Sequence, residues 1–173
     1  MSGHSKWSKI KHKKGTADQK RSALFSKFLN AIAIAARNEP NPQFNPALRA
    51  AIERAKENQV PLENIERAVK KASENKNLEE LIIESYGPEG AAILIEAITD
   101  NRNRTISEVK KILSDNGAKF AEPGSVLWAF EKTANGWQAK FKQKIAENAK
   151  GKIQTLIVEL ENHNDIQKIH TNN

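Results

Sequence analysis

The chain contains no cysteine. This excludes disulfide frameworks, thiolate zinc sites, iron–sulfur ligation and a cysteine nucleophile. No apolar run approaches the roughly 20 residues that a membrane helix needs. Aromatic residues are only 6% of the sequence and hydrophobic residues 38%. Leu, Ile, Val and Phe number 39 of 173, a little above the level of roughly 20% at which disorder prevails. Folded modules with modest cores are therefore expected. Motifs that carry chemistry are also missing. There is no G-x-x-x-x-G-K-[ST], no G-x-G-x-x-G and no G-x-S-x-G, and the four histidines show no H-E-x-x-H spacing. His163 and His170 read as solvated residues near the last turn rather than as ligands. Neither a catalytic constellation, a cofactor nor a metal site is expected.

Positive charge is abundant. There are 28 Lys+Arg against 21 Asp+Glu, a net +7 with a pI near 9.6. It is concentrated at one end. Residues 1–37 hold nine basic side chains and a single acid, Asp18. Residues 38–78 hold seven basic and six acidic, and residues 79–173 hold twelve and fourteen. Such asymmetry points to a polyanionic partner, a nucleic acid or an anionic membrane surface. Ala33-Ile34-Ala35 imitates a signal-peptide cleavage site. Against that, the apolar run starts late and Lys27 and Asn30 interrupt it. Phe25, Phe28, Leu29, Ile32 and Ala36 also recur at helical spacing. The expected location is cytoplasmic, with a basic mitochondrial or other organellar leader as the minority alternative.

Residues 1–15 read as an extended or mobile basic arm. Thr16-Ala17-Asp18-Gln19 reads as a capping box opening a helix, which runs to about Arg37 and stops at Glu39-Pro40-Asn41-Pro42. Asn45-Pro46 opens a second helix and Pro61 a third. Residues 16–77 thus form a three-helix domain with its linker. The pattern then turns to strands. Residues 91–99 alternate and are rich in β-branched side chains. Thr105-Ile106-Ser107-Glu108 reads as another capping box, and Asn116-Gly117 as the end of its helix. Residues 125–131 read as a strand, Asn135-Gly136 as a hairpin turn, and Trp137, Ala139 and Phe141 alternate with Gln138, Lys140 and Lys142 on the return strand. A helix through Ile153, Leu156, Ile157 and Leu160 and a last strand at 165–171 complete a βαββαβ order. The expected class is α+β: an N-terminal three-helix domain followed by a ferredoxin-like βαββαβ domain over residues 78–173.

The arm is the best candidate site. Lys6, Lys9, Lys11, Lys13 and Lys14 supply point charges for phosphates, and Trp7 and His12 offer flat faces on which an unpaired base could stack. Lys20, Arg21 and Lys27 extend this surface onto the first helix. The plain alternative is a solvated tail with Trp7 packed on the body, but a Trp inside a lysine run favours binding. A second candidate contact is Arg102, Asn103 and Arg104, at a helix N-terminus whose free N–H groups favour an anion. It is balanced by the reading that these arginines pair with nearby acids. A protein-interaction role for the slightly acidic second domain stays open beside nucleic-acid binding.

The motifs carry a resemblance. Gly3-His4-Ser5-Lys6-Trp7, Ile10-Lys11-His12-Lys13, Asp18 and Lys20-Arg21 resemble the opening of the YebC/PmpR family, which includes the mitochondrial translational activator of cytochrome c oxidase. Further along come Asn45-Pro46-x-Leu48-Arg49-x-Ala51-Ile52, Tyr86-Gly87-Pro88-x-Gly90, Thr99-Asp100-Asn101-Arg102-Asn103-Arg104-Thr105 and Gly124-Ser125-Val126, each similar to that family. The resemblance implies a cytoplasmic, non-enzymatic DNA-binding transcriptional regulator. The alternative it implies is a ribosome-associated, rRNA-binding translation factor that relieves stalling at difficult sequences such as proline runs. The implied partners are DNA or rRNA and with the latter the ribosome, with no membrane and no small-molecule substrate. Family members usually carry a third domain inserted before the last helix and strand, and the short path from Phe130 to the closing helix implies that it is absent.

Overall fold

The computed structural model describes residues 3–74, 77–134 and 136–173, with side chains from residue 17 onward. The chain divides into two compact units, Met1–Lys76 and Asn77–Asn173.

The first unit is three helices: α1 (Gly3–Ala36), α2 (Pro46–Glu57) and α3 (Leu62–Lys70). Ile32 and Ala36 of α1 pack with Leu48 and Ala55 of α2, with Val60, and with Ile65 of α3 and Ala72 beyond it. Phe25, Phe28 and Leu29 cover this core from the side. Asn45 joins the elements. Its Oδ1 accepts the Leu48 N–H at 3.0 Å and caps α2, while its Nδ2 donates to the Ala35 and Glu39 carbonyls at 2.7 and 2.8 Å. One asparagine thereby satisfies groups at the end of α1 and the start of α2.

The expected helix start at Thr16 falls inside α1, whose backbone is helical from Gly3. Lysine and alanine are good helix formers, and Gly15 costs only about 1 kcal/mol relative to Ala within a helix. A capping-box pattern is therefore not enough to stop a helix from continuing upstream. At about 1.5 Å per residue, the 34 residues of α1 extend roughly 51 Å.

The second unit contains β1 (Glu79–Tyr86), β2 (Ala92–Thr99), α4 (Arg102–Asp115), β3 (Lys119–Phe120), β4 (Phe130–Thr133), β5 (Gly136–Ala139), α5 (Glu147–Glu161) and β6 (Ile166–Thr171). The main sheet has the order β3-β1-β2-β6 with antiparallel neighbours, and β4-β5 form a separate hairpin. Leu81 and Ile83 of β1 and Ile93, Ile95 and Ala97 of β2 face one side. There they meet Val109 and Leu113 of α4 and Leu156 and Leu160 of α5. On the reverse side, Ala92 and Leu94 pack against Val126, Ala129, Phe130 and Trp137. The α+β class holds, with helices first and an antiparallel sheet after them. Both α4 and α5 lie on one face of the sheet, as in a ferredoxin-like layer. The chain order differs, because β1 precedes the expected first strand and fills the place between β2 and β3. The α4 crossover from β2 to β3 passes around it.

Strand β1 escapes sequence reading because Glu84 occupies a buried position, 5% exposed, and breaks the apolar alternation. The residues expected as a strand at 125–131 instead include a 3₁₀ turn, Leu127–Ala129, before β4 begins at Phe130. Glu84 is again the cause, since it draws the N–H groups of this segment away from a ladder. On the return side β5 ends at Ala139, so Phe141 lies beyond it and is exposed. Asn135 lies outside the described residues. The Thr105 capping box is also internal. Asn101 is the N-cap of α4, its Oδ1 accepting the Arg104 N–H at 3.1 Å.

Candidate nucleic-acid interface

On α1, residues 17–22 are exposed, and packing against the core begins at Phe25. Lys20 and Arg21 lie on this exposed stretch, and the Arg21 guanidinium sits 5.3 Å from the centre of the Phe25 ring, a cation–π arrangement. Lys27 is half-buried. Helical backbone brings positions 6, 13, 20 and 27, all lysines and each seven residues apart, onto one stripe, because seven residues are close to two helical turns. Lys6, Trp7, Lys9, Lys11, His12, Lys13 and Lys14 lie on the helical backbone of α1, but their side chains are outside the described residues.

The second candidate, at the start of α4, is a closed network. Arg104 donates to Asp165 Oδ2 at 2.6 Å, lies 3.2 Å from Asp100 and approaches Glu108 at 4.0 Å. The hydrogen bond to Asp165, then its charge, raises the Arg104 pKa above the ordinary value, so the guanidinium stays charged. Thr105, fully buried, donates to the same Asp165 oxygen at 2.6 Å and accepts from the Thr99 hydroxyl at 2.8 Å. The Asn101 N–H donates to Thr99 Oγ1 at 2.9 Å. Arg102 pairs with Glu79 at 3.6 Å, and Asn103 is exposed. The motif thus ties the end of β2 and the start of α4 to the turn before β6. Its arginines face carboxylates, and an incoming phosphate would have to compete with them.

His163 and His170 are not solvated as expected. The His163 side chain is 10% exposed and its Nε2 lies 2.8 Å from Glu108, while the Asp165 N–H donates to Nδ1 at 3.1 Å. With Nδ1 accepting, the neutral ring carries its proton on Nε2 and donates it to Glu108. His170 Nε2 lies 2.6 Å from Glu96 across the β2–β6 pair. Glu108, His163 and Asp165 come close enough for their donor atoms to share one cation. The Arg104 guanidinium on Asp165 already supplies positive charge there, and each donor has a protein partner. The residues fit an ion-paired lock better than a metal site. Beside them lies an open cavity of about 400 Å³, lined by Arg104, Glu108, Asn162, His163, Asn164 and Asp165.

Glu84 was invisible to sequence reasoning. Its Oε1 accepts the Gly124 N–H at 2.6 Å and its Oε2 accepts the Val126 and Leu127 N–H groups at 2.7 and 2.8 Å. Three converging N–H groups hold a buried carboxylate that has no ion-pair partner among the described residues. This fixes the loop before β4 to the reverse face of the sheet. Asn172 does similar work at the end of the chain, where its Oδ1 accepts the Ala92 N–H at 2.8 Å.

Fold and site together define a two-unit α+β protein: a basic helical module, then an antiparallel-sheet module with a self-contained polar lock. Residues 5–75 match the model of the TACO1/YebC protein N-terminal domain, and residues 78–135 match that of the TACO1/YebC second and third domain. The chain belongs to the TACO1/YebC family. It is 50% identical over 135 residues to a probable transcriptional regulatory protein of Dehalococcoides mccartyi, covering 76% of this chain and 54% of that one. It is 51% identical over 136 residues to one of Chloroherpeton thalassium, covering 76% and 54%. The chain spans about half the length of the curated relatives it matches. The crystal structure of a conserved hypothetical protein, Aq1575, from Aquifex aeolicus aligns with a TM-score of 0.80 at 30% identity over 90% of each chain. No helix among the described residues is long and apolar enough to cross a membrane.

Proposed function

We propose that the chain is a non-enzymatic, nucleic-acid-binding regulator of gene expression that acts in the cytoplasm and binds through the lysine-rich N-terminal part of α1. The observation that carries this reading is the concentration of nine basic side chains against one acid in residues 1–37, nearly all of them on a single helix. Relatives named probable transcriptional regulatory proteins support a regulatory role. Phosphate contacts hold the helix on the polyanion without reading sequence. If about six phosphates are contacted, affinity for duplex DNA falls on the order of 10³-fold between 50 and 200 mM salt. The test is a salt series on the full chain and on a Lys6→Gln/Lys9→Gln/Lys13→Gln variant. Loss of three contacts lowers the log–log slope by about 2.7. An unchanged slope and affinity would exclude α1 as the binding element.

A second reading places the same surface on ribosomal RNA. It is favoured by the α4 arginines being engaged with carboxylates, which leaves that helix without free guanidinium groups for bidentate base readout. Sedimentation of cell lysate at low salt separates the two. Co-migration with ribosomal subunits that survives DNase supports the translational reading, and its absence supports the transcriptional one.

A further inference from the structure

The second unit carries a surface that the α1 reading does not use. Trp128 is 63% exposed and Phe141 59% exposed, and their ring centres lie 6.1 Å apart with planes tilted by 45°. Large aromatic side chains left in water lose the burial that would stabilise them, so an exposed pair marks a contact site more often than a single exposed ring does. The pair is held rigidly. The Trp128 indole N–H donates to the Ser125 carbonyl at 2.8 Å. The Lys140 N–H donates to the Ala129 carbonyl at 2.8 Å, which fixes the segment leading into Phe141 beside the turn bearing Trp128. Beyond Phe141, Gln143 bonds the Glu89 and Asn172 carbonyls at 2.8 and 2.6 Å.

Charge singles out the same segment. Residues 127–144 hold four lysines (Lys132, Lys140, Lys142 and Lys144) against Glu131 alone. The rest of the unit holds eight basic and thirteen acidic side chains. Lys140, Lys142 and Lys144 are exposed and alternate with Phe141 along the chain. A basic segment on an otherwise acidic unit, centred on two exposed rings, fits one ligand chemistry. The rings stack unpaired bases and the ammonium groups meet the phosphates between them. A duplex keeps its bases stacked on each other and would gain only the charge contacts.

We propose that Trp128 and Phe141, with the flanking lysines, form a stacking platform for single-stranded nucleic acid, separate from the α1 site. The full chain is titrated with labelled U12, dT12 and a 12-base-pair duplex. Binding of U12 and dT12, alike or with one preferred, shows whether RNA or DNA is the better ligand. Trp128→Ala is expected to weaken single-strand binding roughly 5- to 150-fold, the effect of losing one stacked base. Duplex affinity stays unchanged, and Trp128→Phe recovers most of the loss. Lys140→Gln/Lys142→Gln/Lys144→Gln lowers the single-strand salt slope by about 2. Single-strand affinity unaltered by both Trp128→Ala and Phe141→Ala overturns the proposal, as does an equal loss on duplex and single strand. So does Trp128→Ala abolishing self-association in sedimentation velocity with oligonucleotide affinity intact, because the rings would then cover a second copy. The α1 lysine variant acts on duplex and single strand alike, so failure of either site is read independently of the other.

Discussion

Glu84→Gln tests whether one buried carboxylate holds the reverse-face loop. Glutamine keeps the shape and one acceptor. Its amide oxygen can take the place of Oε2 and retain the Val126 and Leu127 N–H groups, now 2.7 and 2.8 Å from a carboxylate. Its NH₂ then faces the Gly124 N–H, which is 2.6 Å from Oε1, and two donors meet. A buried donor left without a partner costs about 1–3 kcal/mol, and hydrogen bonds to a neutral acceptor are each worth about 1 kcal/mol less than to a charged one. The carboxylate's own desolvation cost is removed, which offsets part of this. The net expectation is about 2–3 kcal/mol, a sizeable share of the roughly 5–15 kcal/mol that stabilises a domain. Amide hydrogen exchange on the full chain reads it locally. The Gly124, Val126 and Leu127 amides should exchange roughly 30- to 150-fold faster, while α2 amides stay unchanged. Unaltered exchange at those three amides would refute the reasoning, and equal acceleration in α2 would show a global effect instead.

Other substitutions follow from the same geometry. Thr105→Val, nearly isosteric at a fully buried position, strips Asp165 of one donor and the Thr99 hydroxyl of its acceptor. It should lower stability by about 1–3 kcal/mol in urea unfolding followed by far-UV circular dichroism. Gly87→Ala sets a methyl 2.9 Å from Ile93 Cδ1, in the core, and overpacking there costs about 1–3 kcal/mol. Gly117→Ala meets no atom within 4 Å but must hold φ +70°, so only backbone strain of about 1–2 kcal/mol applies. A Gly117 loss exceeding the Gly87 loss in the same assay would contradict the steric argument.

Much of the helical architecture is legible in the sequence because its causes are local. Apolar spacing at three and four residues and the Asn45-Pro46 start place α2 close to its observed bounds. Leu156 and Leu160 place α5, and Asn116-Gly117 places the end of α4. Helix starts are less secure. Thr16 and Thr105 both look like caps, yet both lie within helices. At Thr105 the reason is visible, for Asn101 caps the helix and Asp165, sixty positions on, takes the Thr105 hydroxyl.

Strand β1 escapes sequence reading, and the turn at residues 127–129 reads as a strand, for one shared reason. Glu84 looks like a surface position until the loop forty residues later supplies three N–H groups. The histidines were misplaced in the same way, since Glu108 and Glu96 reach His163 and His170 only after the sheet and helices assemble. The α4 arginines were balanced between anion binding and ion pairing in sequence, and the fold brings Asp165, Asp100 and Glu79 to them. Phe141 reads as part of the return strand, but β5 stops at Ala139 and leaves its ring in solvent, while Trp128 sits on a 3₁₀ turn rather than a strand and is exposed as well.

The sequence by itself determined the division into a basic helical part and a near-neutral sheet-bearing part, the α+β class and the strong positive charge at one end. These depend on composition and short-range periodicity, which act over a few residues along the chain. Tertiary structure alone decided the insertion of β1 between β2 and β3, the carboxylate knots at Glu84 and Asp165, and the exposure of the aromatic pair. Each of these depends on groups more than thirty positions apart, or on where strand pairing ends, and hydrogen-bond partners at that separation are chosen by packing rather than by sequence neighbourhood.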